Sequence, residues 1–260
     1  MTTDINRLTA WLRERMEQEG PVPEILEQAP NLTIEEAYRI QMALMDARRE
    51  DGDPVLGYKA ALTSKAMQEL AGIGEPLLGT LTASRQCPPD SPIPLGRYMR
   101  PTLEPEIAMV LREGLSGPGV TPETARAAVE GCMAAVEIGD YITGDNPRSL
   151  QQTLVCNTFN GGYVMAGNPL PPGALDLRLE GMVMSRNGEP LTSATGVEVL
   201  GDPYRSVAFM ANKLGDLGRE LPAGALLLTG SIVKSIPLEP GDAITVEFTR
   251  LGRLDLRFEG

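Results

Sequence analysis

Arg100-Pro-Thr-Leu-Glu-Pro-Glu-Ile-Ala-Met-Val-Leu111 reads as a buried strand carrying two carboxylates, Glu104 and Glu106, two residues apart. Side chains alternate between faces along a strand, so both acids project the same way. A third acid, Glu137, sits in the equally apolar Ala134-Ala-Val-Glu-Ile138. Ionised carboxylates set in apolar strands lose hydration and repel one another, an arrangement tolerated chiefly when a cation lies between them. A hard divalent ion is the candidate, because oxygen-only ligation suits Mg²⁺, Mn²⁺ or Ca²⁺ and disfavours zinc. The spacing leaves a second arrangement open, two solvent-facing acids on an edge strand, which Pro105 permits.

Outward from this stretch the texture divides in two. Before Pro54 the pattern is helical over Asp4–Glu19 and Thr33–Glu50, with Leu8, Leu12 and Met16 in one and Ala37, Ile40, Leu44 and Ala47 in the other. Thr33 with Glu36 forms a capping-box start. Beyond Pro54 short apolar runs separated by Gly and Pro predict strands at 55–62, 106–111, 134–138, 161–166, 177–186, 225–229 and 243–248. Helices interrupt at 64–71, 121–131 and 203–217, and Asn187-Gly188 marks a hairpin turn. The mix predicts an α+β fold, divided as a helical region over 1–72 and a β-rich core over 73–260.

Composition narrows the chemistry. The 260 residues suffice for a large core without staples. A net charge of -12 argues against nucleic acid and anionic membrane as partners. The N-terminus does not read as a signal peptide and no apolar run is long enough to span a bilayer, so a cytoplasmic protein is expected. Cys87, Cys132 and Cys156 match neither a disulfide framework nor a zinc motif, and Cys156, like the twelve methionines, reads as packing. The chain has no histidine, which excludes Ser-His and Cys-His nucleophile systems and histidine metal sites. No glycine-rich loop has the strand-to-helix context of a nucleotide site.

Lys59 lies in the apolar run Val55-Leu-Gly-Tyr-Lys-Ala-Ala-Leu62, either snorkelling to the surface or pointing inward to meet an anion or shuttle a proton. Thr63 and Ser64 precede a helix that either could cap. Thr229-Gly230-Ser231 is compatible with a plain strand-end turn.

Four blocks in this order resemble the fumarylacetoacetate hydrolase superfamily, in its branch of 2-oxo-4-pentenoate hydratases and 4-oxalocrotonate decarboxylases. They are Gly57-Tyr-Lys-Ala-Ala-Leu-Thr-Ser-Lys-Ala-Met-Gln68, Pro101–Leu111, Ala135-Val-Glu-Ile138, and the stretch from Asn187-Gly-Glu through Val199-Leu-Gly-Asp-Pro203 to Leu228-Thr-Gly-Ser231. The resemblance implies a distorted β roll, assembly into homo-oligomers, and Mg²⁺ or Mn²⁺ held by Glu104, Glu106 and Glu137. It implies a pocket for a small 2-oxo acid or dienoate lined by Lys59, Thr63, Ser64, Asn157 and Ser231, with Lys59 catalytic. The activity implied is addition of water to a 2-hydroxy-2,4-dienoate, in the catabolism of aromatic compounds.

The chain also departs from the branch pattern. It reads Gly139-Asp-Tyr-Ile142 where a Ser-Arg pair is common after the third acid, Cys156-Asn157 where an Asp-Asn pair is common, and Leu77 where hydratases tend to carry an acid. These departures keep open a decarboxylase of a 2-oxo-dienedioate, for which less water activation is needed, and a non-catalytic or specialised biosynthetic member. Hydrolysis of a carbon–carbon bond is disfavoured, since the histidine that usually activates water there is absent.

Overall fold

The computed structural model describes residues 3–145 and 148–260. Two helices come first, α1 (Ile5–Glu17) and α2 (Ile34–Glu50). Both begin as the sequence dictates: the Asp4 side chain accepts the Arg7 N–H, and Thr33 and Glu36 cap reciprocally. There follow β1 (Val55–Ala61), α3 (Lys65–Ala71), β2 (Leu77–Thr82), the short β3 (Ile93–Pro94) and the long β4 (Pro101–Leu111). Next come α4 (Pro122–Ala128), β5 (Val129–Asp140), α5 (Leu150–Val155) and β6 (Asn160–Met165). The chain closes with β7 (Gly181–Arg186), β8 (Glu189–Thr195), α6 (Pro203–Asp216), β9 (Leu226–Ser231), β10 (Ile236–Pro237), β11 (Ala243–Phe248) and β12 (Arg253–Glu259).

The main sheet runs β2-β1-β9-β4-β5-β6, with β10 added beside β4; among the described residues its β1–β9 strand pair is parallel and its other strand pairs antiparallel. Its two edges curl towards each other: Tyr163 Oη on β6 donates to the Thr82 carbonyl at 3.1 Å, and the Cys87 N–H donates to the Tyr163 carbonyl at 2.8 Å. The inside of this roll is filled by Leu81, Ala108, Met133, Ala135, Tyr163 and Leu228. Glu106 on β4 and Glu137 on β5 belong to the same alternating face as Ala108 and Ala135, so the strand period that fills the roll also delivers the carboxylates to it. The fold is therefore the α+β roll with a helical N-terminal region that the sequence predicts.

A second sheet, β3-β12-β11-β7-β8, packs beside the first. Its β7–β8 hairpin turns at Asn187 and Gly188, both with positive φ, as the Asn-Gly step demands. On the opposite side α2 is tied to the roll through Gln41, whose amide donates to the carbonyls of Leu78 (3.0 Å) and Leu154 (2.8 Å).

Several elements differ from expectation. The edge-strand arrangement for Glu104 and Glu106 is corrected, since β4 is interior, flanked by β5 and β9. Pro105 is accommodated where the β10 and β9 pairings meet, its carbonyl accepting from Ile232 N–H at 3.1 Å. The helix expected over 121–131 stops at Ala128, and Val129 begins β5. Residues 177–179 form a short turn of 3₁₀ helix rather than strand, because the Asp176 side chain caps it. Strand β1 lies before residue 72 yet pairs with β2 and β9 inside the main sheet. Among the described residues no helix is long and apolar enough to cross a membrane.

Candidate metal centre

Glu104 and Glu137 are direct cross-strand partners on β4 and β5, and Glu106 follows two positions along β4. One carboxylate oxygen from each lies within 4.8 Å of the other two. At that separation each ionised pair would repel by about 3 kcal/mol even at an effective dielectric of about 20. Like charges placed opposite each other also weaken a sheet. The fold nevertheless builds two of the three into its interior, Glu106 at 0% and Glu137 at 1% exposed, with Glu104 half-buried at their side.

Among the described residues one cation faces the cluster. Lys59 on β1 is 3% exposed, so it points inward rather than snorkelling. Its Nζ donates to Glu137 Oε1 at 2.5 Å and to the Thr158 carbonyl at 3.3 Å. Asn160 Nδ2 donates to the same Glu137 oxygen at 2.9 Å, and the Gly230 N–H donates to Glu106 Oε2 at 2.7 Å. Burial works against the Lys59 ammonium, but the charges of Glu137, Glu104 and Glu106 outweigh it and hold its pKa above the usual lysine value. Burial, then the Glu137 charge, pushes Glu104 up to about 7, and the same two causes raise Glu106 well above an ordinary carboxylate.

Single-lysine compensation is incomplete, and two orphaned atoms locate the deficit. Glu106 Oε1 and Glu137 Oε2 are buried without a hydrogen-bond partner among the described residues. A buried carboxylate oxygen without a donor costs several kcal/mol, of order 1–3 at least, unless something positive meets it. Three converging carboxylates with free lone pairs and no nitrogen or sulfur ligand fit a hard divalent cation, with coordination positions left for water or a chelating ligand.

Close packing shapes the surroundings. Gly79 on β2 stands opposite Lys59, and a Cβ there would lie 2.3 Å from Thr158 Oγ1 and 2.9 Å from Lys59 Cγ. Gly230 has φ +109 and would drive a Cβ to 2.3 Å from Thr63 Oγ1. Thr63 is thus buried against the Gly230 turn beside Glu106. Ser64 instead caps α3, its Oγ accepting the Met67 N–H at 3.3 Å. Ser231 pairs with Glu106 across β9 and β4, and its Oγ donates to the Val233 carbonyl at 2.7 Å.

Asn157 does not face the carboxylates. Its side chain binds the edge of β2, accepting from Thr80 N–H and donating to the Thr80 carbonyl, both at 2.8 Å. Asn157, Thr158 and Phe159 all have positive φ (53, 49 and 59), a left-handed run that costs roughly 1–2 kcal/mol per residue. The clamp on β2 offsets part of that strain and aims the Thr158 carbonyl at Lys59. Asn157→Ala is expected to cost about 2 kcal/mol of stability, by denaturant unfolding, through two unpaired backbone groups. Through displacement of Thr158 it is expected to lower turnover about tenfold or more. Undiminished turnover would show that the segment holds its shape unaided.

Asn160, Thr158 and Gly79 were not singled out by sequence reasoning, whereas Gly230 was, within Thr229-Gly230-Ser231. Asn160 lies three residues beyond Asn157, in Asn157-Thr-Phe-Asn-Gly-Gly162, and that polar, glycine-bounded cluster was the available signal. The unusual Tyr141 packs its ring on Phe159 at 5.2 Å, and Cys156 is a buried free thiol accepting from Gln152 Nε2 at 3.3 Å. Leu77, 4% exposed, starts β2 on the face shared with Gly79 and Leu81.

Residues 56–259 match the protein family described as fumarylacetoacetate (FAA) hydrolase C-terminal. The chain is 34% identical over 231 residues to 2-hydroxyhexa-2,4-dienoate hydratase of Comamonas testosteroni, covering 88% of each chain. It is 33% identical over 229 residues to 4-oxalocrotonate decarboxylase of Pseudomonas putida, covering 88% of this chain and 87% of the relative. Its fold superposes on the structure of 4-oxalocrotonate decarboxylase from Pseudomonas putida G7 complexed with magnesium and adipate, with a TM-score of 0.95, 28% identity and 99% of both chains covered.

Proposed function

The chain belongs to the fumarylacetoacetate hydrolase family, and from that premise we propose that it is a divalent-metal-dependent hydro-lyase adding water to a 2-hydroxy-2,4-dienoate to give a 4-hydroxy-2-oxo acid. The observation that carries this reading is the convergence of Glu104, Glu106 and Glu137 beside Lys59. The three glutamates would hold Mg²⁺ or Mn²⁺. Such an ion, when bound, supplies Lewis-acid polarisation of a chelating 2-oxo acid head and offsets the negative charge of its enolate.

The chain's own residues do the rest. Ketonisation of the dienol takes the proton from the 2-hydroxyl and places one on C5, which leaves a 2-oxo-3-enoate. Water then adds at C4, and a proton goes to C3. Lys59 Nζ has three N–H donors, two of them directed at Glu137 and Thr158, which leaves the third for the substrate. It returns the proton at carbon and neutralises the carboxylate as charge shifts. Asn160 holds Glu137 in place, and its buried, unpartnered Oδ1 is an acceptor for substrate or for the attacking water. Thr63 and Ser231 flank the Gly230 turn at the substrate head, and Ser64 orients α3 behind them. Asn157 contributes through the backbone it bends rather than by contact. We place the enzyme in the cytoplasm as a homo-oligomer acting on small-molecule products of aromatic catabolism, with neither nucleic acid nor membrane as partner.

Chelation should abolish turnover of 2-hydroxypenta-2,4-dienoate and Mg²⁺ should restore it. Persistence of full activity in chelator would contradict the reading.

A second reading, decarboxylation of a 2-oxo-dienedioate, is favoured by one observation. Leu77 puts a buried apolar side chain, two residues from Gly79 on β2, where the branch's hydratases tend to carry an acid that could activate water. Both reactions use the same polarised keto acid, so the products separate them. Hydration consumes the monoacid dienoate with loss of its absorbance, whereas decarboxylation releases carbon dioxide from the dienedioate. The hydratase reading expects the first at a kcat/KM at least tenfold above the second, and the reverse ratio would assign the decarboxylase.

A further inference from the structure

On the far side of the Asn157–Gly161 segment from the carboxylates, a cavity of about 410 Å³ opens between the C-terminal ends of α1 and α2 and the 96–99 segment. That volume falls in the range of roughly 300–1,000 Å³ typical of small-molecule sites. Neither Lys59 nor any of the three glutamates lines it. Four arginines do: Arg15, Arg48, Arg85 and Arg97. In a chain of net charge -12 this is a concentrated patch of opposite sign.

The carboxylates nearby do not neutralise it. Asp140, which lines the cavity, accepts the backbone N–H groups of Met99 and Arg100, each at 2.9 Å. Glu19, the other lining acid, is exposed. Arg48 reaches Asp53 only at 3.6 Å. Among the described residues no carboxylate lies within 4.0 Å of Arg15, Arg85 or Arg97. Their guanidinium groups bond instead to neutral partners: Arg15 to Gln18 Oε1 at 2.6 Å, Arg97 to Tyr98 Oη at 2.5 Å, and Arg85 to the Gly161 carbonyl at 3.1 Å. Arg85 is half-buried with most of its five donors unspent. Burial, then the neighbouring Arg48 charge, lowers its pKa despite the opposing pull of Tyr98 and Asp140. Four like charges converge on one cavity, three of them partly buried and only Arg48 within 4.0 Å of a carboxylate among the described residues, and the arrangement calls for an anion.

We propose that this cavity is a second binding site, separate from the glutamates, for a small molecule bearing an oxyanion, a carboxylate or a phosphate group, gripped by Arg15, Arg48, Arg85 and Arg97. Planar guanidinium forks match both groups in bidentate geometry. Asn157, Phe159, Asn160 and Gly161 all line the cavity, and the Asn160 amide also donates to Glu137, so an occupant rests against the strained segment that organises the other site. The proposal stands independently of the metal reading.

Calorimetric titration of the full chain, stripped of metal and then desalted, with sodium phosphate and separately with succinate tests it. Saturable 1:1 binding of at least one is expected, the tighter of the two identifying the group. Arg85→Gln should weaken it at least tenfold, and so should Arg15→Gln, a change on a partly exposed helix surface that leaves folding intact. Glu104→Gln with Glu106→Gln should leave it unchanged. No saturable binding of either anion, wild-type affinity in both arginine variants, or loss only in the glutamate variant would overturn the proposal.

Discussion

Glu104→Gln combined with Glu106→Gln is expected to reduce turnover by about 10³-fold or more, the scale at which removal of a preorganised electrostatic stabiliser is felt. Both side chains keep their volume, so the roll is not hollowed, and the loss falls on charge. The variant sheds the repulsion between Glu104 and Glu137 as well as the burial cost that lifts both β4 acids. It should therefore fold, and be at least as stable as the metal-free parent. Activity and stability then move in opposite directions, which a structural role for the acids would not produce. Steady-state rates and thermal unfolding of the same preparations provide the comparison.

Lys59→Met is the second large effect. The replacement fills nearly the same space opposite Gly79, removes the donor to Glu137 and Thr158, and leaves the three carboxylates in place. Loss of a positioned proton donor is worth roughly 10²–10⁴ in rate. A fall of about 10³-fold in kcat is expected, with Mg²⁺ binding retained or strengthened because one competing cation has gone. If instead metal affinity collapses while kcat at saturating Mg²⁺ is preserved, Lys59 is a scaffold for Glu137 and not part of the chemistry.

The legible part of this molecule was the part governed by local period. Alternation placed Glu104 and Glu106 on one face, and the Thr33–Glu36 box and Asn187-Gly188 turn appeared where local rules put them. Strand β12, absent from the strands predicted, follows the same rule, with Leu254, Leu256 and Phe258 buried between charged neighbours. Strand β2 was harder, since Leu77-Leu-Gly-Thr-Leu-Thr82 is buried throughout and shows no alternation. What sequence alone could not supply was register. The pairing of Glu104 with Glu137, of Lys59 with Gly79 and of Asn157 with Thr80 joins residues 33, 20 and 77 positions apart. Asn157 shows the consequence: its resemblance-based role placed it among substrate contacts, whereas strained backbone and the open edge of β2 claim its amide.

Everything proposed for catalysis depends on one ion held by three carboxylates. Titration of Mn²⁺ into the metal-stripped chain, followed by the loss of free-ion paramagnetic resonance signal, measures this directly. The expected result is one tightly bound ion per chain, displaced by Mg²⁺ and absent from the Glu104→Gln, Glu106→Gln variant. Undiminished stoichiometry and affinity in that variant, or no bound ion in the parent chain, would contradict the account.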